Sequence, residues 1–81
     1  MTPDFPEIEI ALPTDEQIIQ AARSYAEFSE PRLTIEKAVL TNRDEERYTW
    51  FVDIFHKGHP DPYTFIVWVQ DGGLTVRFHD V

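Results

Sequence analysis

From Tyr48 to His56 large apolar side chains occupy both alternating sets of positions, with Tyr48, Trp50, Val52 and Ile54 in one set and Phe51 and Phe55 in the other. Successive side chains of a strand point to opposite faces, so such a segment turns apolar groups both ways. Tyr63 to Gln70 has the same character, Tyr63, Phe65, Val67 and Val69 alternating with Ile66 and Trp68. The other elements can be placed around these two strands in chain order. Phe5 to Leu12 puts Ile8, Ile10 and Leu12 on one side and Glu7 and Glu9 on the other. This predicts a short strand that Pro6 confines to a start or an edge, with an extended arm over residues 1–13 as the competing reading. Thr14 and Gln17 have the spacing of a capping box, and Asp15 and Glu16 suit the positive end of a helix dipole. The helix is expected over residues 14–29 with Thr14 as its cap, Ile18, Ile19, Ala22, Tyr25 and Ala26 forming one stripe and Glu16, Gln20, Arg23 and Glu27 the other side. Pro31 stops it, because the residue before a proline, Glu30, is pushed out of the helical region.

The rest of the chain reads as strands. Leu33 to Thr41 is followed by the polar link Asn42-Arg43-Asp44-Glu45 and by Arg47 to His56; Lys57 to Pro62 breaks the pattern before Tyr63 to Gln70, and Asp71-Gly72-Gly73 is a hairpin signal before Leu74 to His79. Consecutive hairpins imply an antiparallel meander over residues 33–80. The expected architecture is therefore α+β, a single domain with one helix packed on a curved antiparallel sheet in the order β-α-β-β-β-β. The alternation sends Tyr48, Trp50, Val52, Ile54, Tyr63, Phe65, Val67, Val69, Leu74, Val76 and Phe78 toward the helix, together with Leu33, Ile35 and Val39. Phe51, Phe55, Ile66, Trp68 and Leu40 are left on a face for which the chain has no second helix. Large apolar groups cost roughly 1.5 to 3 kcal/mol each when left in water, and a contiguous patch of them marks an interface. These five residues are the candidate protein-binding site. The competing readings are a curved sheet whose partly exposed aromatics are shielded by threonines, Arg77 and the N-terminal arm, and a homodimer through this face or an edge strand.

The order of elements resembles the cystatin-like superfold, and a helix followed by a meander is also similar to the small PepSY-type domains. Cystatin inhibitors carry Gln-x-Val-x-Gly in one hairpin and often Pro-Trp in another. Here those places hold Asn42-Arg43-Asp44-Glu45 and Gln70-Asp71-Gly72-Gly73. The resemblance therefore implies a topology and does not carry over inhibition of papain-type proteases.

Composition narrows the function classes. At 81 residues, 42% of them hydrophobic, the chain can build one core. The absence of cysteine excludes disulfides, a thiol nucleophile and Cys-ligated metals. No stretch approaches the roughly 20 apolar residues of a membrane span, and the first residues lack the features of a signal peptide, so a cytoplasmic location without membrane association is expected. A net charge of -8 argues against direct nucleic-acid binding and favours a basic partner. Residues 1–30 carry seven of the acids against the single base Arg23. Glu16, Glu27 and Glu30, joined by Asp4, Glu7 and Glu9 of the arm, could present a negative field to a basic, nucleic-acid-acting protein. Small acidic immunity proteins, antitoxins and nuclease inhibitors act in this way, and this chain is similar to them in size and charge.

Candidate chemistry is sparse. His56, His59 and Asp61 have a spacing that could surround a metal ion, but two histidines without a third convincing ligand, with Lys57 between them, read better as a solvated loop. Asp53, set between Phe51 and Phe55, is expected to pair across strands with Arg77 or Lys37. His79 and Asp80 are adjacent and would point to opposite faces of a strand. Ser24 and Ser29 have no His-Asp partner in view, and no Gly-rich phosphate loop exists. The expectation is a non-enzymatic protein-binding module with no metal and no cofactor, inhibition of a basic target being one form its binding could take. A structural homodimer and a small-ligand carrier are the alternatives. The locally consistent cap and turn would also suit a designed sequence, whereas the irregular loop at Lys57 to Pro62 points to a natural one.

Overall fold

The computed structural model describes residues 12–79. Thr14 caps helix α1 (Asp15–Ser29) as its spacing predicts: its hydroxyl accepts from the Gln17 amide at 3.1 Å, and the Gln17 side chain accepts from the Thr14 amide at 2.9 Å. Two of the amides that a helix start leaves without partners are thereby satisfied. The buried stripe of α1 is Ile18, Ala22 and Ala26, flanked by Ala21 and Tyr25. Ala21 takes the place expected for Ile19, because the positions three, four, seven and eight residues after Ile18 share its face.

Four antiparallel strands follow, β1 (Ile35–Asp44), β2 (Thr49–His56), β3 (Tyr63–Gln70) and β4 (Gly73–Phe78), with a 3-10 turn at Glu45–Arg47 between the first two. They form one open sheet in chain order, and α1 touches every strand. The α+β class and the helix laid on a meander are thus as expected. The additional strand expected in residues 1–13 lies outside the described residues except for Leu12 and Pro13, which have no regular structure.

The core is the alternating set Trp50, Val52 and Ile54 of β2 with Phe65 and Val67 of β3, closed by Ile18, Ala22 and Ala26. Tyr48, expected in this set, instead ends the 3-10 turn in the left-handed region (φ 50°) and is exposed. At the other end of β2 the alternation carries His56 into the core, where it is 2% exposed. The β3–β4 hairpin pairs Gln70 with Gly73 across Asp71 and Gly72, both at positive φ (53° and 80°). Two consecutive positive φ values match the right-handed twist of a two-residue hairpin.

β1 departs most from the literal alternation. It runs on through Asn42, Arg43 and Asp44, the residues expected to form a link, and its pairing with β2 slips between Ile35 and Lys37 and again between Leu40 and Asn42. The first slip inserts one residue and reverses the parity of the strand beyond it. Ala38 and Leu40 therefore pack on the core, while Val39 is exposed. The physical gain is the position of Lys37. Strict alternation from Ile35 would drive its ammonium beneath the helix, at a large desolvation cost; the slip leaves it outside, 4.7 Å from the centre of the Phe55 ring. The second slip returns Arg43 to the helix side, where its guanidinium grips both carboxylate oxygens of Asp15 at 2.6 Å each. These hydrogen bonds hold the Asp15 carboxyl below its ordinary value and push Arg43 up. One end of β1 is thus tied to the start of α1.

Candidate protein-binding surface

The outer face of the sheet is built of rows of cross-strand neighbours, whose side chains stand close enough to touch. Phe51 of β2 lies opposite Ile66 of β3, which lies opposite Arg77 of β4. In the next row Thr49 faces Trp68, and Trp68 faces Thr75. Phe51, Ile66 and Trp68 therefore form one contiguous apolar cluster, and all three are half-buried. Each of the two aromatic rings has a polar neighbour. His79 meets the Phe51 ring edge to face at 5.4 Å, the Arg77 guanidinium sits 5.9 Å from the Trp68 ring, and the Trp68 indole N–H donates to Gln70 at 3.0 Å.

Two expected members do not join this cluster. Leu40 is turned to the opposite side of the sheet by the slip in β1, where it packs against the core, and its place outside is taken by Val39. Phe55 does face outward but is separated from Phe51 by a polar row, in which Asp53 accepts a hydrogen bond from the Thr64 hydroxyl at 2.7 Å. Asp53 forms no ion pair among the described residues, so the expected pairing with Arg77 or Lys37 is replaced by this bond. Both cations lie over aromatic rings instead, consistent with the attraction of a positive charge to a π face.

The acidic helix face is more dilute than the sequence suggests. Glu16 and Glu27 are exposed on α1, and eleven residues of helix set their backbones about 16 Å apart. Arg23 sits on the same side between them, and the charge of Asp15 is matched by Arg43. Glu30, three residues beyond Glu27, is exposed as the C-terminal cap of the helix. The arm acids Asp4, Glu7 and Glu9 lie outside the described residues.

The histidines do not converge on a metal site. His56 is buried with both ring nitrogens lacking a hydrogen-bond partner among the described residues, packed 5.0 Å from Tyr63, while His59 is exposed. Burial lowers the His56 pKa below the ordinary 6.5, the neighbouring His59 adds to this, and Glu30 opposes it. No group of three potential ligands comes together among the described residues. Their helices include none long and apolar enough to cross a membrane.

Sequence reasoning missed a second aromatic cluster on the helix side. Tyr25, Tyr63, Phe65 and Phe78 wall a cleft of about 430 Å³ beside Ser29 and Glu30 at the end of α1. Phe78, expected in the core, is 46% exposed and overhangs this cleft. Phe28 also stands clear of the core on the last turn of the helix, 84% exposed. The signal for both was present, since Phe28 falls outside the apolar stripe and Phe78 lies at the end of an edge strand. Compared with protein-family models, curated proteins and solved structures, the chain matches none of them.

Proposed function

We propose that this protein is a non-enzymatic binding module that docks another protein on the outer face of its sheet, with Phe51, Ile66 and Trp68 as the anchor. The observation that carries this reading is the contiguous row of large apolar side chains on the face away from α1, none of them fully buried. Aromatic anchors of this kind dominate interface energetics when a partner desolvates them. Arg77 flanks the cluster, and Lys37 lies apart from it over Phe55, so the complementary surface is apolar at its centre with a carboxylate opposite Arg77. Phe55 contributes from beyond the Asp53–Thr64 row.

A second reading, inhibition of a basic nucleic-acid-acting protein, draws on the exposed carboxylates Glu16, Glu27 and Glu30. Salt and substitution separate the two. Capture of a partner by the wild-type chain should fall at least about tenfold for a Phe51→Ala, Trp68→Ala double variant and be little changed for Glu16→Gln, Glu27→Gln or by added salt. Loss of capture on the glutamate substitutions, with steep weakening in salt, would favour the acidic helix instead. Equal recovery by all variants would remove the sheet face as the site. A homodimer through the same face predicts a doubled solution mass that the double variant restores to that of the monomer.

A further inference from the structure

The cleft at the end of α1 combines three features that favour one ligand chemistry. Its walls are aromatic: Tyr25 meets Phe65 at 5.9 Å and 75°, Phe65 meets Phe78 at 5.6 Å and 67°, and Phe78 meets Tyr63 at 5.9 Å and 73°. These edge-to-face contacts pack the rings against one another and give the cleft an aromatic lining, a surface that attracts cations more than neutral polar groups. Its rim is negative. Glu30 and Ser29 line it, and the carbonyl end of a helix carries a partial negative charge. No basic residue lies in the last turn of α1 to neutralise that charge. Its size is that of a small-molecule pocket, about 430 Å³, within the usual range for such sites.

We propose that this cleft binds a small organic cation, an alkylated ammonium whose apolar surface rests on Tyr25, Tyr63 and Phe78, backed by the buried Phe65, and whose charge faces Glu30 and the carbonyl end of α1. The site is independent of the outer sheet face, because β3 and β4 direct Tyr63, Phe65 and Phe78 to the side opposite Ile66 and Trp68. An aromatic core alone would bind a neutral apolar molecule of the same shape equally well. The charge of the ligand is therefore the distinguishing variable.

The test is a titration of the full chain with choline, followed by backbone amide chemical shifts, beside a titration with 3,3-dimethylbutan-1-ol, which has the same shape without the charge. Choline should give saturable shifts at Ser29, Glu30, Tyr63 and Phe78 at millimolar concentration. The neutral alcohol should bind roughly tenfold more weakly. Glu30→Gln and Phe78→Leu, both at exposed side chains, should each weaken choline binding about threefold or more while leaving the rest of the spectrum in place. Absence of saturable shifts overturns the proposal, and so does equal binding of choline and the alcohol. Unchanged choline affinity in both variants overturns it as well. None of these results depends on whether a protein docks on the outer face.

Discussion

At the scale of single residues, His56 is the position where burial and chemistry conflict most directly. Its ring is enclosed by the core parity of β2, yet both nitrogens lack partners among the described residues. A buried polar group in that state costs about 1 to 3 kcal/mol. Protonation would be worse, which is why burial lowers its pKa from 6.5. Above pH 6.5 the ring is neutral in folded and unfolded chains alike, so the fold keeps its full stability there. As pH falls through 6.5 the unfolded chain takes up the proton first, and stability declines until the folded pKa is passed. Replacing His56 with leucine should raise stability by about 1 kcal/mol at neutral pH and by more at pH 5, removing this acid sensitivity. Urea unfolding of both proteins at pH 7.5 and 5 measures it, and a parallel decline in the variant would show that His56 is not its source. The Asp15 carboxyl, held low by Arg43, contributes in a separate window, present above its ordinary value of 3.8 and lost below it. The sequence pointed at His56 through its spacing to His59 and Asp61, whereas its environment follows from the parity of Trp50, Val52 and Ile54.

At the scale of elements, the helix was legible almost to the residue and β1 was not. The limits of α1 rest on local chemistry, the Thr14–Gln17 box at one end and Pro31 beyond the other, and local chemistry can be read from sequence. The β3–β4 hairpin was legible for the same reason, since Asp71 and Gly72 tolerate the backbone the turn requires. The parity of β1 depends on where it slips against β2, and the slip that leaves Lys37 outside the core is a matter of long-range pairing that local sequence does not encode. The slip has a direct consequence for stability. Leu40→Ala, on the core side, should cost about 2 to 3 kcal/mol, and Val39→Ala, exposed, less than about 0.5 kcal/mol. Thermal or denaturant unfolding of the two variants checks this; the reverse ranking would restore the literal alternation. The same slip removes Leu40 from the candidate site, so the surface that sequence alone assembled from five residues contracts to the cluster of Phe51, Ile66 and Trp68 with Phe55 apart.

At the scale of the molecule, one helix on a four-stranded open sheet, among the described residues, leaves two surfaces with unlike chemistry. The helix side carries the exposed acids and the aromatic cleft near Glu30; the outer side carries an apolar cluster bordered by Arg77, with Lys37 apart from it over Phe55. The net charge of -8 suggested a basic partner, but charge totals do not reveal that Arg43 and Arg23 moderate the helix face while the cations Lys37 and Arg77 gather on the sheet. The apolar excess on β2 and β3 survives the change of register in β1. Docking on that face can be tested by site-specific photocrosslinking in the native cells, with a photoreactive phenylalanine analogue placed at Thr75, beside Trp68, or at Gln20, on the exposed side of the helix. A partner seated on the sheet should give a discrete crosslinked species from position 75 that is lost when Phe51 is changed to alanine, and none from position 20. Crosslinking from position 20 alone would place the partner on the helix side and rule out the sheet face.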